Sequence, residues 1–250
     1  MNVPSFQSVL LLLLQLAAVA VAVTRSQSAA GQHAPPADYP WQFSIQFQSN
    51  VTTADAVAGN REGATVNSMY YDWSLRMQRV DHGASSFECA HFYYSTAPCT
   101  IWFTPTGLFR QLQAPVPAGQ PECCLDMPEI QASPPDWARS IEPPATFLTV
   151  DTDSYSGMYS AHWAFATADP NPVRPPHEYR QVEEGDEMDG RPLTFTFPVA
   201  EGRQDYHFDP TSLMVGRPDP ALFELPRACF LDSDPAAPLM CPQPASSRRE

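Results

Sequence analysis

Lysine is absent from this sequence of 250 residues, in which all 14 basic side chains are arginine. Without lysine the chain has no Schiff-base nucleophile, no anchor for pyridoxal phosphate and no P-loop or kinase-type lysine. Its 28 acidic residues give a formal net charge of −14, which argues against binding to a phosphate backbone. These two features exclude several enzyme classes and general nucleic-acid binding.

The common catalytic motifs are missing as well. The sequence contains no G-x-S-x-G, H-E-x-x-H, G-x-G-x-x-G or S-x-x-K pattern, and its six histidines are scattered. His91 and His162 lie in predicted strands and could meet across a sheet as a metal pair, although hydrogen-bonded histidines are far commoner. We therefore predict no catalytic residue and no enzyme activity. A hydrolase whose His–carboxylate pair is assembled only by folding stays as a third hypothesis.

A long apolar run occurs only near the N-terminus, over Val9–Val23. At this length it suits the apolar region of a secretory signal better than a spanning helix, which needs about 20 residues. Small residues suited to cleavage follow at 20–22 and 28–30. Residues 1–30 are therefore predicted to be a signal peptide of a secreted, extracellular protein. The first eight residues carry no arginine, so a signal anchor is the weaker alternative.

The cysteine count agrees with secretion. Six cysteines follow the signal, and an even number in a secreted chain predicts disulfides among Cys89, Cys99, Cys123, Cys124, Cys229 and Cys241. Six cysteines allow 15 pairings, between which the sequence does not choose. Cys123 and Cys124 are expected to bond two distant partners, because adjacent residues do not reach ordinary disulfide geometry. Asn50 opens an N-glycosylation sequon.

Alternating hydrophobicity predicts an all-β fold. The segment Trp41–Gln48 alternates apolar and polar residues without a fault, and a second alternation runs from Tyr71 to Gln78. Further predicted strands are Ser86–Tyr94, Pro98–Thr104, Leu108–Leu112, Ala145–Val150, Met158–Ala166 and Leu193–Pro198. Only two short helical segments are expected, at Ser133–Arg139 and Asp219–Phe223. The 28 prolines fall mostly in loops. The sequence thus predicts one antiparallel β domain over 31–230 and a flexible, proline-rich tail over 231–250.

The aromatic residues of the strands point to one shared face. With little helix to cover it, a strongly curved sheet must fill that face with side chains or leave a ligand cavity. Plain core packing explains most of these residues, and a pocket within the same core is the functional hypothesis. The predicted pocket residues are Phe43, Ile45, Phe47, Tyr71, Trp73, Leu75, Met77, Trp163, Phe195 and Phe197.

Two acidic segments raise the question of calcium. Asp151 and Asp153 occupy the first and third positions of a calcium-loop pattern, but the remainder of the EF-hand pattern fails, and an Asx turn is the alternative. Five carboxylates in residues 183–189 are best explained as a solvated loop. We expect no cofactor, with calcium at Asp151 and Asp153 as the one candidate ion.

Several motifs in order resemble a known family. Met69–Trp73 running into Arg76–Val80 resembles the conserved strand of ependymin-related secreted proteins. The elements that follow in order are Cys89, Cys123–Cys124, Ile130, Pro135–Trp137, Ser156–Gly157, Trp163 and Leu222–Pro226 before Cys229. The resemblance covers about 66–229. It implies a half-barrel antiparallel sheet like that of bacterial lipoprotein carriers, calcium association, and binding of hydrophobic ligands without catalysis.

The leading hypothesis is a secreted, disulfide-bonded glycoprotein that binds a lipid or fatty acid in an apolar, sheet-lined pocket. The alternative is an extracellular structural or adhesive, calcium-associated glycoprotein with a fully packed core. Expected partners are a hydrophobic small molecule or lipid. Nucleic acid and a stable membrane span are not expected, and a homodimer is left open.

Overall fold

Eleven strands form one open antiparallel sheet in the computed structural model of this chain. The structure describes residues 36–53, 65–93, 96–113, 116, 118–140, 145–165, 177–183, 188–199 and 202–242. The signal segment 1–30 therefore lies outside the described residues. The strands are β1 (Gln42–Thr53), β2 (Val66–Asp72), β3 (Met77–His82), β4 (Cys99–Thr104), β5 (Gly107–Leu112), β6 (Cys123–Met127), β7 (Thr146–Thr152), β8 (Tyr159–Phe165), β9 (His177–Val182), β10 (Pro192–Val199) and β11 (Gly202–Val215). The predicted all-β, single-sheet fold class is confirmed.

Strands that follow one another in the chain are neighbours in the sheet, except at the passage from β6 to β7. The order is β6-β5-β4-β3-β2-β1-β11-β10-β9-β8-β7, so the first and last strands pair at the centre. From β6 at one margin, the chain crosses to β7 at the other margin and then returns inward strand by strand. The sheet is not closed, because β6 and β7 end it on opposite sides. Residues 128–140, which we call the crossing segment, pack over one face of the sheet.

Helices are short and few in the described residues. They comprise α1 (Phe87–Tyr93), α2 (Trp137–Ser140) and the 3₁₀ turns Pro220–Phe223 and Arg227–Cys229. Asp219 caps the first of these turns by accepting a hydrogen bond from the backbone of Ala221. None of the helices described by the structure is long and apolar enough to cross a membrane.

The perfect alternation of the first predicted strand is borne out in β1. Phe43, Ile45 and Phe47 are buried, whereas the intervening Ser44 and Gln46 are not. In register, Phe43 lies opposite Tyr71 of β2, and Phe47 lies opposite Phe208 of β11. Because directly opposed residues point to the same side of a sheet, one face is apolar at its centre. We call the side that carries Phe43 the apolar face.

Two predicted strands are wrong. The alternation from Tyr71 to Gln78 is not one strand: β2 ends at Asp72, residues 73–76 form a turn, and β3 begins at Met77. Arg76 adopts φ +53°, a left-handed conformation that reverses the chain without glycine. The predicted strand at Ser86–Tyr94 is mainly α1 instead. This helix is tied to β4 by the disulfide between Cys89 and Cys99.

A tight hairpin turn at Thr106–Gly107 joins β4 to β5. Thr104 pairs with Gly107, and its hydroxyl oxygen accepts hydrogen bonds from the backbone N–H groups of Thr106 (3.1 Å) and Gly107 (3.2 Å). Gly107 has φ +137°, and a Cβ placed there would lie 2.6 Å from the carbonyl oxygen of Met127. Glycine is therefore required here for both its backbone conformation and its small size.

Two of the three disulfides bind the C-terminal segment to the sheet margin. The adjacent cysteines of β6 bond distant partners, as predicted: Cys123 with Cys229 and Cys124 with Cys241. The backbone N–H of Leu125 donates to Leu239, and that of Cys241 donates to Leu125. Residues 231–242 of the predicted flexible tail are thus fixed beside β6, where they cover an otherwise unpaired edge. Residues 243–250 of that tail lie outside the described residues.

Candidate ligand-binding face of the sheet

The centre of the apolar face is filled by the protein's own side chains. Among the predicted pocket residues, Phe43, Ile45, Phe47, Tyr71 and Trp163 are each at most 2% exposed. The crossing segment lies over them: Ala132 packs against the Phe43 cluster, and Ala138 packs beside Trp163. The hydroxyl of Tyr71 donates to the carbonyl of Ser133 at 2.8 Å, which holds this segment against the sheet. The described part of the crossing segment therefore covers the centre of this face.

On one flank, half-buried aromatic side chains follow one another across three strands. We call this group the aromatic row; it consists of His177, Phe195, Phe197 and Tyr206. The ring centres of His177 and Phe195 are 6.1 Å apart, those of Phe195 and Phe197 are 5.9 Å apart, and those of Phe197 and Tyr206 are 5.4 Å apart. Tyr206 in turn contacts the buried Phe47 at 5.2 Å. The row is therefore continuous with the core while remaining partly accessible.

The row ends at a buried polar group that anchors α1 to the sheet. Glu88 of α1 accepts a hydrogen bond from the Nε2 of Gln204 at 2.5 Å, and its Oε2 lies 3.3 Å from the Nδ1 of His82. Burial raises the pKa of Tyr206 well above its ordinary value, and the neighbouring Glu88 carboxylate adds to the effect. Burial likewise lowers the pKa of His82 despite the opposing influence of Glu88. The group is sealed from solvent and fixes the helix that borders the aromatic row.

Sequence reasoning missed most of this flank. Glu88 lies in the segment predicted as a strand, and His177, Gln204 and Tyr206 lie in strands that were not predicted. The alternation of Tyr179 with polar neighbours in β9, and of Tyr206 with polar neighbours in β11, is the signal that could have found them. It is weak because these strands contain charged residues and because β11 contains Pro210.

Three predicted pocket residues lie away from the aromatic row. Trp73 and Leu75 belong to the turn between β2 and β3, and Met77 begins β3. Trp73 stacks on Tyr71 with ring centres 6.5 Å apart, so it still joins the central core. Leu75 is exposed at the end of the turn. The expectation that Tyr71, Trp73, Leu75 and Met77 share one strand face is therefore wrong, because a turn at 73–76 separates β2 from β3.

The two aspartates considered for calcium are bound by the protein's own donors. Oδ2 of Asp153 accepts hydrogen bonds from the backbone N–H of Ser156 (2.7 Å), the hydroxyl of Ser156 (2.8 Å) and the N–H of Tyr155 (3.2 Å). Burial raises the pKa of Asp153, but these hydrogen bonds outweigh it and lower the pKa overall. Asp151 pairs with Arg180. The segment is thus an Asx turn, and in the described part of the chain no three His, Cys, Asp or Glu side chains form a group able to hold a metal.

The other predicted polar sites lie apart from the aromatic row. Asn50 is in β1, opposite Asp205 of β11. His91 belongs to α1 and not to a strand, which removes the basis for a metal pair of His91 and His162 across a sheet. His162 has its Nε2 3.3 Å from the Oε2 of Glu178, and burial together with Arg180 lowers its pKa. Residues 184–187 of the acidic segment lie outside the described residues.

Comparison with known proteins gives little further information. No family model and no curated protein matches this chain. Among solved structures, the chain is similar to an uncharacterized conserved protein from Thermus thermophilus, with a TM-score of 0.40 and 13% sequence identity. The match covers 74% of this chain and 86% of that one. A TM-score of this size supports no assignment of function.

Proposed function

We propose that this chain is a secreted, disulfide-bonded binding protein that holds a hydrophobic ligand, such as a lipid or fatty acid, against the aromatic row. One observation carries the proposal: His177, Phe195, Phe197 and Tyr206 remain half-buried although they adjoin a fully buried core. Aromatic side chains can each bury about 150–250 Å², so partly accessible rings beside a packed core offer contact area to an apolar ligand. The three disulfides and the resemblance to ependymin-related secreted proteins support the same proposal.

The geometry of the row suits an apolar chain rather than a polar ligand. Its rings are joined edge to face or tilted, with centres 5.4–6.2 Å apart, and together span the width of β9, β10 and β11. The hydroxyl of Tyr206 is engaged with Glu88, so the ring rather than the polar atom is free for contact. A flexible hydrocarbon lying across these rings would gain contact area on each of them. We assign no catalytic step to this face.

The test is binding of an apolar fluorescent probe to the purified full chain. Native mass spectrometry of the protein and an organic extract of it show whether a lipid co-purifies. Phe197→Ala removes one ring of the row and is expected to weaken probe binding about fivefold, since one aromatic contact contributes of order 1 kcal/mol. Tyr159→Ser is the matched control. Tyr159 is 60% exposed and begins β8, whereas it is the other end of β8 that pairs with His177 of the aromatic row. No co-purified lipid together with no probe binding would refute the proposal.

The second candidate is an extracellular structural or adhesive glycoprotein with a packed core. It is favoured by the complete burial of Phe43, Ile45, Phe47, Tyr71 and Trp163 beneath the crossing segment. This function requires no ligand and predicts self-association that depends on calcium. Sedimentation velocity with and without calcium separates the two: a calcium-dependent oligomer that binds no probe would favour this candidate.

A further inference from the structure

The rings of the aromatic row do not cover one another's faces. Their planes meet at 84° between His177 and Phe195, at 38° between Phe195 and Phe197, and at 58° between Phe197 and Tyr206. None of these pairs is stacked with parallel planes, so each ring keeps a face that its neighbour in the row leaves uncovered. The face of an aromatic ring carries partial negative charge and therefore attracts cations as well as hydrocarbon.

A hydrogen bond to Glu88 makes the ring of Tyr206 electron-rich. The Tyr206 hydroxyl donates this bond to the Glu88 carboxylate, which also accepts one from the Nε2 of Gln204 at 2.5 Å. Because hydrogen-bonded groups polarise one another, a phenol that donates to a carboxylate gains electron density in its ring. The ring of Phe197 lies 5.4 Å from that of Tyr206, so a cation above both can stay within about 6 Å of each centre, where cation–π attraction acts.

The Glu88 carboxylate also places a negative charge at this end of the row. It is buried, and its other close neighbour is His82, whose Nδ1 lies 3.3 Å from the Oε2 of Glu88. Burial lowers the pKa of His82, so the imidazole is uncharged at pH 7 and does not neutralise the carboxylate. A charge in a sealed site of low dielectric acts on its surroundings more strongly than the same charge in water. The carboxylate therefore favours a cation over Tyr206.

The arginines of the strands that carry the row point to the other face of the sheet. Tyr206 lies opposite Phe195 on the apolar face, so Asp205, which precedes it in β11, points to the other side. Arg203 points there too, and its Nε lies 2.7 Å from the Oδ1 of Asp205. Arg180 of β9 is on the same side and is paired with an aspartate. In the described part of these three strands, arginine thus faces away from the row, whereas the buried carboxylate lies on its side.

The opposite end of the row is apolar and uncharged. Burial lowers the pKa of His177, so its imidazole is neutral at pH 7. Trp137 of α2 borders this end, where its ring meets that of Phe195 edge to face at 5.7 Å. The row therefore runs from an uncharged aromatic end to an end with negative potential. An amphiphile with a hydrocarbon tail and a cationic head matches this difference in one orientation.

We propose that the ligand of the aromatic row is a lipid whose headgroup carries a quaternary ammonium, which lies over Phe197 and Tyr206. Its hydrocarbon tail runs towards His177 and Trp137. A quaternary ammonium suits these rings because methyl or methylene groups surround its charge and it has no N–H donor to leave unpaired. A primary ammonium is strongly hydrated and would lose its hydrogen bonds on the same rings. The inference rests on the proposed function and adds the class of headgroup to it.

The experiment is displacement of the apolar fluorescent probe from the purified full chain by lysophosphatidylcholine, below the concentration at which it forms micelles. The comparison ligand is the same molecule with carbon in place of the headgroup nitrogen, which keeps the shape and removes the positive charge. The wild type should bind lysophosphatidylcholine about tenfold more tightly than the carbon analogue, because the analogue lacks the cation–π attraction of a partly desolvated site.

Two variants test whether the rings and the carboxylate cause this preference. Phe197→Leu keeps an apolar side chain but removes one ring face, and should reduce the preference to about threefold. Glu88→Gln keeps a polar side chain at the buried site but removes its charge, and should also reduce the preference. Tyr159→Ser is again the control and should keep the full preference. Repulsion between the carbon analogue and the chain's net charge of −14 acts equally on Phe197→Leu and on the control, so it cannot produce a difference between them.

The possible failures of the inference and of the proposed function are distinct. Equal affinity of the wild type for the two lipids would overturn the inference while probe binding upholds the proposed function. A preference that survives in both Phe197→Leu and Glu88→Gln would overturn it as well, and either variant decides the point if only one of them folds. A wild-type chain that binds neither the probe nor either lipid would refute both proposals.

Discussion

The adjacent cysteines of β6 make a specific prediction about stability. Cys123–Cys229 closes a loop of 106 residues and Cys124–Cys241 one of 117, so each bridge considered alone would stabilise the fold by about 5 kcal/mol through the entropy of the unfolded chain. The two loops overlap almost completely, however, and begin at neighbouring residues. While either bridge is intact, the other closes only the short loop that runs from Cys229 to Cys241 and through the adjacent Cys123 and Cys124. Closing this loop of about 13 residues should stabilise the fold by about 3 kcal/mol.

The cost of removing the bridges should therefore be strongly non-additive. Cys123→Ala with Cys229→Ala, or Cys124→Ala with Cys241→Ala, should each lower the free energy of unfolding by about 3 kcal/mol. Removal of both bridges should lower it by about 8 kcal/mol, which exceeds the stability of many domains. Each variant leaves no unpaired thiol, and equilibrium urea denaturation supplies the free energies.

The third bridge provides an internal control. Cys89–Cys99 closes a loop of 10 residues that lies outside the other two, so its removal should cost about 3 kcal/mol and should add to the loss of either β6 bridge. A loss near 5 kcal/mol on removal of either β6 bridge alone would refute the argument from overlapping loops. So would a variant without both β6 bridges that loses only twice the single value.

Three further predictions concern single residues, each measured by urea denaturation. Tyr71→Phe removes the 2.8 Å hydrogen bond to Ser133 and should lower the free energy of unfolding by about 1 kcal/mol; no change would contradict a role in holding the crossing segment. Gly107→Ala forces a Cβ against the backbone at φ +137° and should cost at least about 1–3 kcal/mol, whereas Gly119→Ala, in open space, is the control for the clash. Asp72→Asn should cost about 3 kcal/mol at pH 7, because the carboxylate loses its charge-assisted hydrogen bonds from the side chains of Gln42 and Arg217, of about 1.5 kcal/mol each. Burial opposes ionisation of Asp72, but hydrogen bonds from Ser74 and Gln42 lower its pKa, so this stabilisation is present above the unfolded pKa of about 3.9 and is lost as the pH falls through the folded pKa. A difference between wild type and Asp72→Asn that persists unchanged at acid pH would contradict the assignment.

The sequence predicts strands well where one face is buried and the other is wet. β1 was found because Phe43, Ile45 and Phe47 alternate with polar residues, and β10 because Phe195 and Phe197 do the same. The turn at 73–76 was missed because its residues continue the alternation by coincidence and contain no glycine, proline or asparagine. α1 was mistaken for a strand because seven residues are too few to distinguish a period of 3.6 from one of two.

The candidate site was less accessible to sequence reasoning than the fold was. The central pocket residues were placed on one face correctly, but nothing in their spacing shows that the crossing segment covers them. That cover depends on contacts between parts of the chain far apart in sequence, such as Tyr71 with Ser133. Glu88 and Gln204 are 116 residues apart and meet only because α1 folds over β11.

The pairing of β1 with β11 also has a consequence for how the protein is made. A chain synthesised at 5–20 residues per second presents β1 roughly 10 to 30 s before β11 follows it. During that interval β1 to β6 can pair as successive local hairpins. The edge of β1 that will pair with β11 has no neighbouring strand, and β1 carries the apolar Phe43, Ile45 and Phe47. The most vulnerable edge of the nascent protein is therefore the one that ends up in the middle of the finished sheet.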